Sequence, residues 1–353
     1  MERRYENLDG VRTICCLAII AMHIDANTSY EALGGYVGEV IILSWTQLVY
    51  LFLLISGFGM CCGYYEKFRT GKIDLVKFYI RRYLKIVPFF TILILIDLII
   101  NWSKEALFEG AIEVALMHGL LPNNQLDVIG VSWTLGVIFL FYMLFPFIVF
   151  LLRNRRSAWL SLGISLSITF MCEEYFFTEK FVVDGFSYRH AFIYCAPFFL
   201  LGGILYSYRD EIEKLVSRFR RISLSVCAIL TVLYYVIPDM INGRSIFIFK
   251  LLVLFGMWLS WLISCQTPVL NNRAMHFLGS ISLEMYLAQM VAFRAVEKMG
   301  LLYIFGRGWF GYIFAFIAVV FVLIVFVLIV KGILRFIEWK TEGNSILLNR
   351  KRK

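Results

Sequence analysis

The chain has 353 residues, of which 60% are hydrophobic and 17% aromatic, against only 17% charged. Its mean hydropathy is +0.77. A soluble globular fold, which carries about 25% charged residues, is excluded. The net charge of +9, from 34 Lys and Arg against 25 Asp and Glu, would raise nucleic acid as a partner in a soluble chain. Here the basic residues sit between apolar runs, where orientation in a bilayer accounts for them, and no nucleic-acid partner is expected.

Apolar runs near 20 residues recur from end to end and predict ten membrane helices, at about 11–29, 40–63, 84–102, 131–152, 157–177, 189–208, 222–238, 246–265, 276–296 and 309–333. No long polar block separates them, so one all-α membrane domain over 1–353 is expected. Residues 334–353 form a short basic tail. The N-terminal segment, the even-numbered connections and the tail hold 26 of the 34 Lys and Arg, and the odd-numbered connections hold 8. By the positive-inside rule both termini face the cytoplasm, in an inner (plasma) membrane. The start MERRYENLDG lacks a small-residue cleavage site, so the first run reads as a retained span. The eight cysteines show no metal spacing and read as small core residues; no metal is expected. The connection at 64–83 alternates basic and apolar residues, as a short interfacial helix or a basic flank would.

Ionisable groups inside spans cost roughly 2.5–3.5 kcal/mol each by insertion scales, so each needs a reason. On the first span, Arg12 and His23 lie eleven residues apart. That spacing is close to three helical turns and puts both on one face, about 16 Å apart along the axis. Imidazole can take a proton from an alcohol near neutral pH. Taken alone, capping of the helix end is the simpler role for His23. Asp25 is close enough to orient the imidazole. In IRRYLKIVPFF at 80–90, Arg81, Arg82 and Lys85 suit phosphate groups, and suit an ordinary basic flank equally well. Asp97, Lys250 and Glu284 are further polar intrusions that pairing between helices would explain. Ser56-Gly57-Phe58-Gly59 and Gly202-Gly203 permit close helix approach, with Ser56 able to line a cavity.

Five segments in one order resemble the acyltransferase-3 family of bacterial membrane O-acyltransferases. They are NLDGVRTICCLAIIAMH at 7–23, LVYLFLLISGFGM at 48–60, FYIRRYLKIVPFF at 78–90, SWTLGVIFLFYMLFP at 132–146 and FLGSISLEMYLAQ at 277–289. They are similar to that family's LDGLR start with a following His, its FFxLSGF, FxxRRxxRIxP, WSLSVExQFYLLFP and LGxxSYxxYLxH patterns.

The resemblance implies transfer of an acyl group, by family habit acetyl, from cytoplasmic acyl-CoA to a hydroxyl of a glycan or lipid-linked sugar, as in polysaccharide O-acetylation. It implies His23 as the catalytic base, Arg12 as its partner, Arg82 with Lys85 near the donor phosphates, and Trp133 and Tyr142 as cavity residues. Two positions depart from the pattern: Ile138 stands where an acid is usual and Gln289 where a His is frequent. A secondary transporter using the intramembrane His, Asp and Glu as a proton path, and a non-catalytic acyl-CoA-binding relative, are the competing readings. Membrane lipids are the remaining expected partner, and a homodimer is left open.

Overall fold

A computed structural model describes residues 5–28, 33–120, 128–178, 180–182, 187–237 and 243–350, with the side chains of 243–246 and 340–350 left aside. The last residues of the basic tail lie outside these. Every regular element among the described residues is helical: α1 (Asn7–Ala26), α2 (Leu48–Arg69), α3 (Leu75–Ile100), α4 (Lys104–Ala115), α5 (Trp133–Leu151), α6 (Arg155–Tyr175), α7 (Phe192–Ser207), α8 (Arg209–Arg218), α9 (Arg220–Val236), α10 (Gly243–Ser264), α11 (Arg273–Ser280), α12 (Ser282–Lys298) and α13 (Trp309–Arg350). A π-helical turn over Val37–Ile42 and a 3₁₀ turn over Trp45–Gln47 lead into α2. Helix starts follow side-chain caps where these exist: Asp74, Ser103, Asn154 and Asn272 each accept from a backbone N–H three residues on.

Six segments are long and apolar enough to cross a membrane: α1, Val37–Arg69, α3, α5, Phe247–Ser264 and Trp309–Trp339. The bent pair α8 and α9, which meet at 100°, makes up to seven. The other expected spans are helical but different in kind. α7 has 16 residues, and the run expected over 276–296 breaks at Ile281 into α11 and α12, of eight and 17 residues. The connection at 64–83 is no separate interfacial helix: α2 runs on to Arg69, Gly71 turns the chain at φ +69°, and α3 already begins at Leu75. Arg81, Arg82 and Lys85 therefore stand well inside α3. At the other end of the chain α13 continues past 333 through the start of the expected tail.

Two apolar cores divide the bundle. One gathers α2, α5, α7 and α10; the other gathers α1, α3, α12 and α13. Leu48, Phe52, Trp133 and Tyr142 pack against both and so mark the seam. In the first core α2 and α7 meet backbone to backbone. A Cβ on Gly57 would stand 2.2 Å from the Phe199 carbonyl oxygen, and one on Gly202 the same distance from that of Leu54. Close helix approach is thus what these small residues do.

In the second core, polar side chains fix α1. Asn7 Nδ2 donates to the carbonyls of Leu262 (3.0 Å) and Cys265 (2.5 Å). Thr13 Oγ1 donates to Met275 O at 3.1 Å, and Cys16 Sγ to Ser282 O at 3.4 Å. α12 therefore starts beside the middle of α1 and runs parallel to it. α13 runs back, with Tyr312 donating to Ala21 O at 2.8 Å and Lys331 paired with Glu284.

Between α3 and α5 lies a structured arm that the apolar-run reading passes over. Within it, Glu113 is fully buried and its Oε1 accepts from Ser132 Oγ (2.8 Å) and Ile129 N (3.2 Å). His118 Nε2 donates to the Ser132 carbonyl at 2.9 Å. Glu113 Oε2 has no partner among the described residues, which suits a protonated carboxyl, and burial raises its pKa to about 7. A carboxyl raised in the folded state favours folding while protonated and loses that contribution as pH rises from its ordinary range through 7. Thermal stability in detergent should accordingly fall between about pH 5 and 7, by at most about 1.4 kcal/mol per pH unit, and level off above. Glu113→Gln, which keeps the acceptor and cannot ionise, should flatten that slope when unfolding is followed by tryptophan fluorescence.

Candidate active site

At the seam between the cores lies a cavity of about 620 Å³. α1 contributes Asp9 and Arg12, α2 Phe52 and Ser56, and α3 Lys85, Pro88 and Phe89. α5 adds Thr134, Ile138 and Tyr142; α12 and the loop before it add Ser282, Glu284 and Tyr286; α13 adds Lys331, Arg335 and Glu338. Charge is concentrated at one end. Arg12 Nη1 donates to Asp9 Oδ1 at 3.1 Å, and the other Asp9 oxygen faces His276 Nδ1 at 3.2 Å. Arg12 reaches across to α2, its guanidinium coming to ordinary contact distance of where a Cβ on Gly59 would stand, 3.7 Å. Lys85 stands within the fields of Arg82, Arg12, Glu284 and Lys331. Four cations (Arg12, Lys85, Lys331, Arg335) thus share this mouth with three carboxylates (Asp9, Glu284, Glu338).

The opposite end is nearly uncharged. Thr134 Oγ1 and Tyr286 Oη are hydrogen-bonded at 2.8 Å, and Phe52 packs against the Tyr286 ring. Beyond them Gln289 is 1% exposed, and neither of its amide atoms finds a partner among the described residues. Since Cys16 meets Ser282 and the two helices run parallel, His23 and Gln289, each seven residues on, lie at one depth, about 10 Å further along. The cavity's closed end at Tyr286 is therefore about one helical turn short of His23 in depth.

His23 does not line the cavity and is half-buried. Capping is done by its neighbours: Asn27 Nδ2 donates to the His23 carbonyl at 2.8 Å and Thr28 Oγ1 donates to that of Ile24. Asp25 is half-buried and makes no hydrogen bond to the His23 ring.

Among the three basic candidates on α3, only Lys85 lines the cavity. Arg81 is exposed on the outside of the helix. Arg82 lies behind the wall among aromatic rings, with its guanidinium 4.6 Å from the centroid of Tyr64, 5.3 Å from Tyr142 and 5.8 Å from Phe78. Ser56 and Tyr142 do line it; Trp133 instead stacks on His190, centroids 4.0 Å apart and planes 9° from parallel. Ile138 faces the cavity where the family pattern has an acid, and Glu284 faces the same space but is engaged by Lys331. Asp97, the other acid singled out on α3, has Asn101 at 3.0 Å and Arg294 at 4.0 Å.

The sequence reading missed Asp9, Lys331, Arg335 and Glu338. Asp9 has a visible signal in its position one turn before Arg12. Lys331 has one too, as the single charge in the apolar run 309–333.

The family model described as an acyltransferase domain matches residues 5–331. The chain belongs to the acyltransferase-3 family. Among curated relatives, O-acetyltransferase OatA of Staphylococcus aureus strain NCTC 8325 is 25% identical over 270 residues, covering 67% of this chain and 41% of OatA. Acyltransferase MdmB of Streptomyces mycarofaciens is 26% identical over 181 residues, 47% of this chain and 45% of MdmB. The matched region thus spans less than half the length of either relative. No solved structure matches. Membership makes this a multi-pass membrane protein of an acyltransferase family, and the cavity is where its five family motifs converge.

Lys331 and Glu284 form a largely buried pair, their side chains 25% and 17% exposed. Lys331→Gln should destabilise the protein by up to roughly 3 kcal/mol, less where cavity water solvates the freed carboxylate. Glu284→Gln added to it should restore most of the loss. A double-mutant cycle on thermal midpoints measures the coupling.

Proposed function

We propose that the protein is a membrane O-acyltransferase that moves a short acyl group, acetyl by the habit of its family, from acyl-CoA to a hydroxyl of a glycan or lipid-linked sugar. One observation carries this reading. A single cavity has four cations at one mouth and ends, through Thr134 and Tyr286, within a turn's depth of His23 and Gln289. An anionic donor of extended shape fits such a gradient, its phosphates among Arg12, Lys85, Lys331 and Arg335 and its thioester at the uncharged end. The positive-inside count supports placing that mouth in the cytoplasm, where acyl-CoA is found, with ten helices in the bundle and both termini inside.

In the proposed step the imidazole of His23 takes the proton of the acceptor hydroxyl. The alkoxide oxygen attacks the thioester carbonyl carbon, the carbon–sulfur bond breaks, and the CoA thiolate leaves with the proton returned from the imidazolium. The products are an ester and CoA thiol. Desolvation at this depth keeps competing water away from the thioester. Arg12, three turns from His23, acts on the donor end, held in place by Asp9. Arg82 acts as a cation behind Tyr142, shaping the wall and contributing charge at a distance.

Reconstituted protein should release CoA thiol only when a hydroxylated acceptor is present. His23→Ala should lower the rate roughly 10²–10⁴-fold, the range for loss of a general base. Arg12→Ala and Lys85→Gln should raise KM for acyl-CoA with a smaller effect on kcat. An unchanged rate in His23→Ala overturns the assignment.

A further inference from the structure

At the end of the bundle away from the basic mouth lies a second pocket, of about 290 Å³, between the Val37–Gln47 segment, α9 and the start of α10. It holds Glu39, Gln47, Arg189, Tyr234 and Tyr235. A third, of about 350 Å³, runs between α1, α2, α9 and α10 and is almost wholly apolar. Ser44, Gln47, Tyr234 and Tyr235 line both, so the two form one continuous site, a polar head opening into an apolar groove.

Three features indicate a ligand. Gln47 is only 7% exposed, yet its amide makes no hydrogen bond to a described residue while standing at the junction. The amide opens onto both spaces, available to a polar group bound there. Arg189 is half-buried, held by Tyr188 Oη (3.1 Å) and the Phe247 ring (4.9 Å), and no carboxylate among the described residues pairs with it. The groove extends along α10 from Leu251 to Leu262, about 16 Å at 1.5 Å per residue. That is the depth of one leaflet of a hydrocarbon core about 30 Å thick.

The site also stands in a definite relation to the cavity. α1, the helix that carries His23, packs against the Val37–Gln47 segment. Arg189 adjoins His190, whose ring lies flat on Trp133, and the next residue, Thr134, lines the donor cavity. The Trp133–His190 stack is thus the partition between the two spaces.

We propose that this head pocket and groove form the acceptor site, and that the acceptor is a lipid-anchored sugar: its hydrocarbon chain in the groove, its linking phosphate on Arg189, and its hydroxylated head beside Gln47 and Tyr235. Glu39, on the exposed rim, accepts from a sugar hydroxyl and repels a second anion. This assignment rests on the acyl-transfer reading, which left glycan and lipid-linked acceptors undivided. It makes the anchor part of what is recognised. Arg189 and Gln47 act as positioning residues.

Binding without acyl-CoA separates the site from the reaction. Native mass spectrometry from detergent, with a polyprenyl-phosphate sugar as probe, should show one copy retained. Ile14→Trp, at a groove position 45% exposed and so tolerant of bulk, should weaken retention at least about 10-fold. Arg189→Gln should do the same. The chainless sugar phosphate should bind more weakly and respond to Arg189→Gln alone. Equal retention by both variants, or displacement of the probe by an equimolar two-chain phospholipid, would overturn the proposal. If binding behaves as stated while His23→Ala leaves transfer intact, the site stands and the catalytic assignment falls.

Discussion

Asp9 engages two side chains at once, and much of the bundle depends on that arrangement. One oxygen holds Arg12 toward the cavity and the other meets His276 on α11. Asn7, two residues earlier, ties the same helix to the end of α10. In a bilayer the apolar effect does not distinguish one helix neighbour from another, because lipid tails are as oily as side chains. Polar contacts and close packing must set the partners. α1 has both, since Gly10 lies where a Cβ would come within 2.3 Å of the Leu270 carbonyl oxygen and Cys16 is bonded to the start of α12. The depth of every cavity residue on α12 and α13 is referred to α1 through these contacts.

Charge and its absence are arranged along one axis. Cations compete with carboxylates at the mouth, so Arg12 and Lys331 are neither left as bare charges in low dielectric nor locked away from an incoming anion. Deeper in, hydroxyls of Thr134 and Tyr286 satisfy each other. Beyond them Gln289 is buried with neither amide atom bonded to a described residue. A group in that state is costly unless something transient completes it. The family departure at this position, amide for imidazole, removes a titratable group while keeping a donor and an acceptor at the depth of His23.

Much of this was legible in the sequence, for physical reasons that also mark where legibility ended. Apolar runs of span length located every long helix, because hydropathy reports burial in lipid directly. Arg12 was placed on the cavity by its motif, and Lys85, Ser56, Tyr142 and Glu284 all reach it. Arg81 and Arg82 do not: they share a side of α3 with Lys85 but stand a turn earlier, Arg81 exposed and Arg82 held among the rings of Tyr64, Phe78 and Tyr142. α4 and the Glu113 cluster escaped because a buried acid in a polar arm has no hydropathy signature. The break at Ile281 escaped because α11 and α12 together have the length of one span. Gln47 looked unremarkable, being polar near a helix start; only its enclosure by α9 and α10 makes it matter.

The length of α13 has a consequence for the environment in which an anion approaching the cavity is first met. At 42 residues it extends about 63 Å, roughly twice the hydrocarbon thickness. Arg335 and Glu338, which border the cavity, lie on its distal half, beyond Lys331. A helix of that length can hold the charged entrance as a collar at the water's edge, with the uncharged interior a shaft in the hydrocarbon. Mobile ions can surround the collar, where the Debye length at physiological ionic strength is about 8 Å, and cannot follow the substrate down the shaft. Capture and chemistry then answer to different solvents, with salt governing the first and only the protein's own dipoles governing the second.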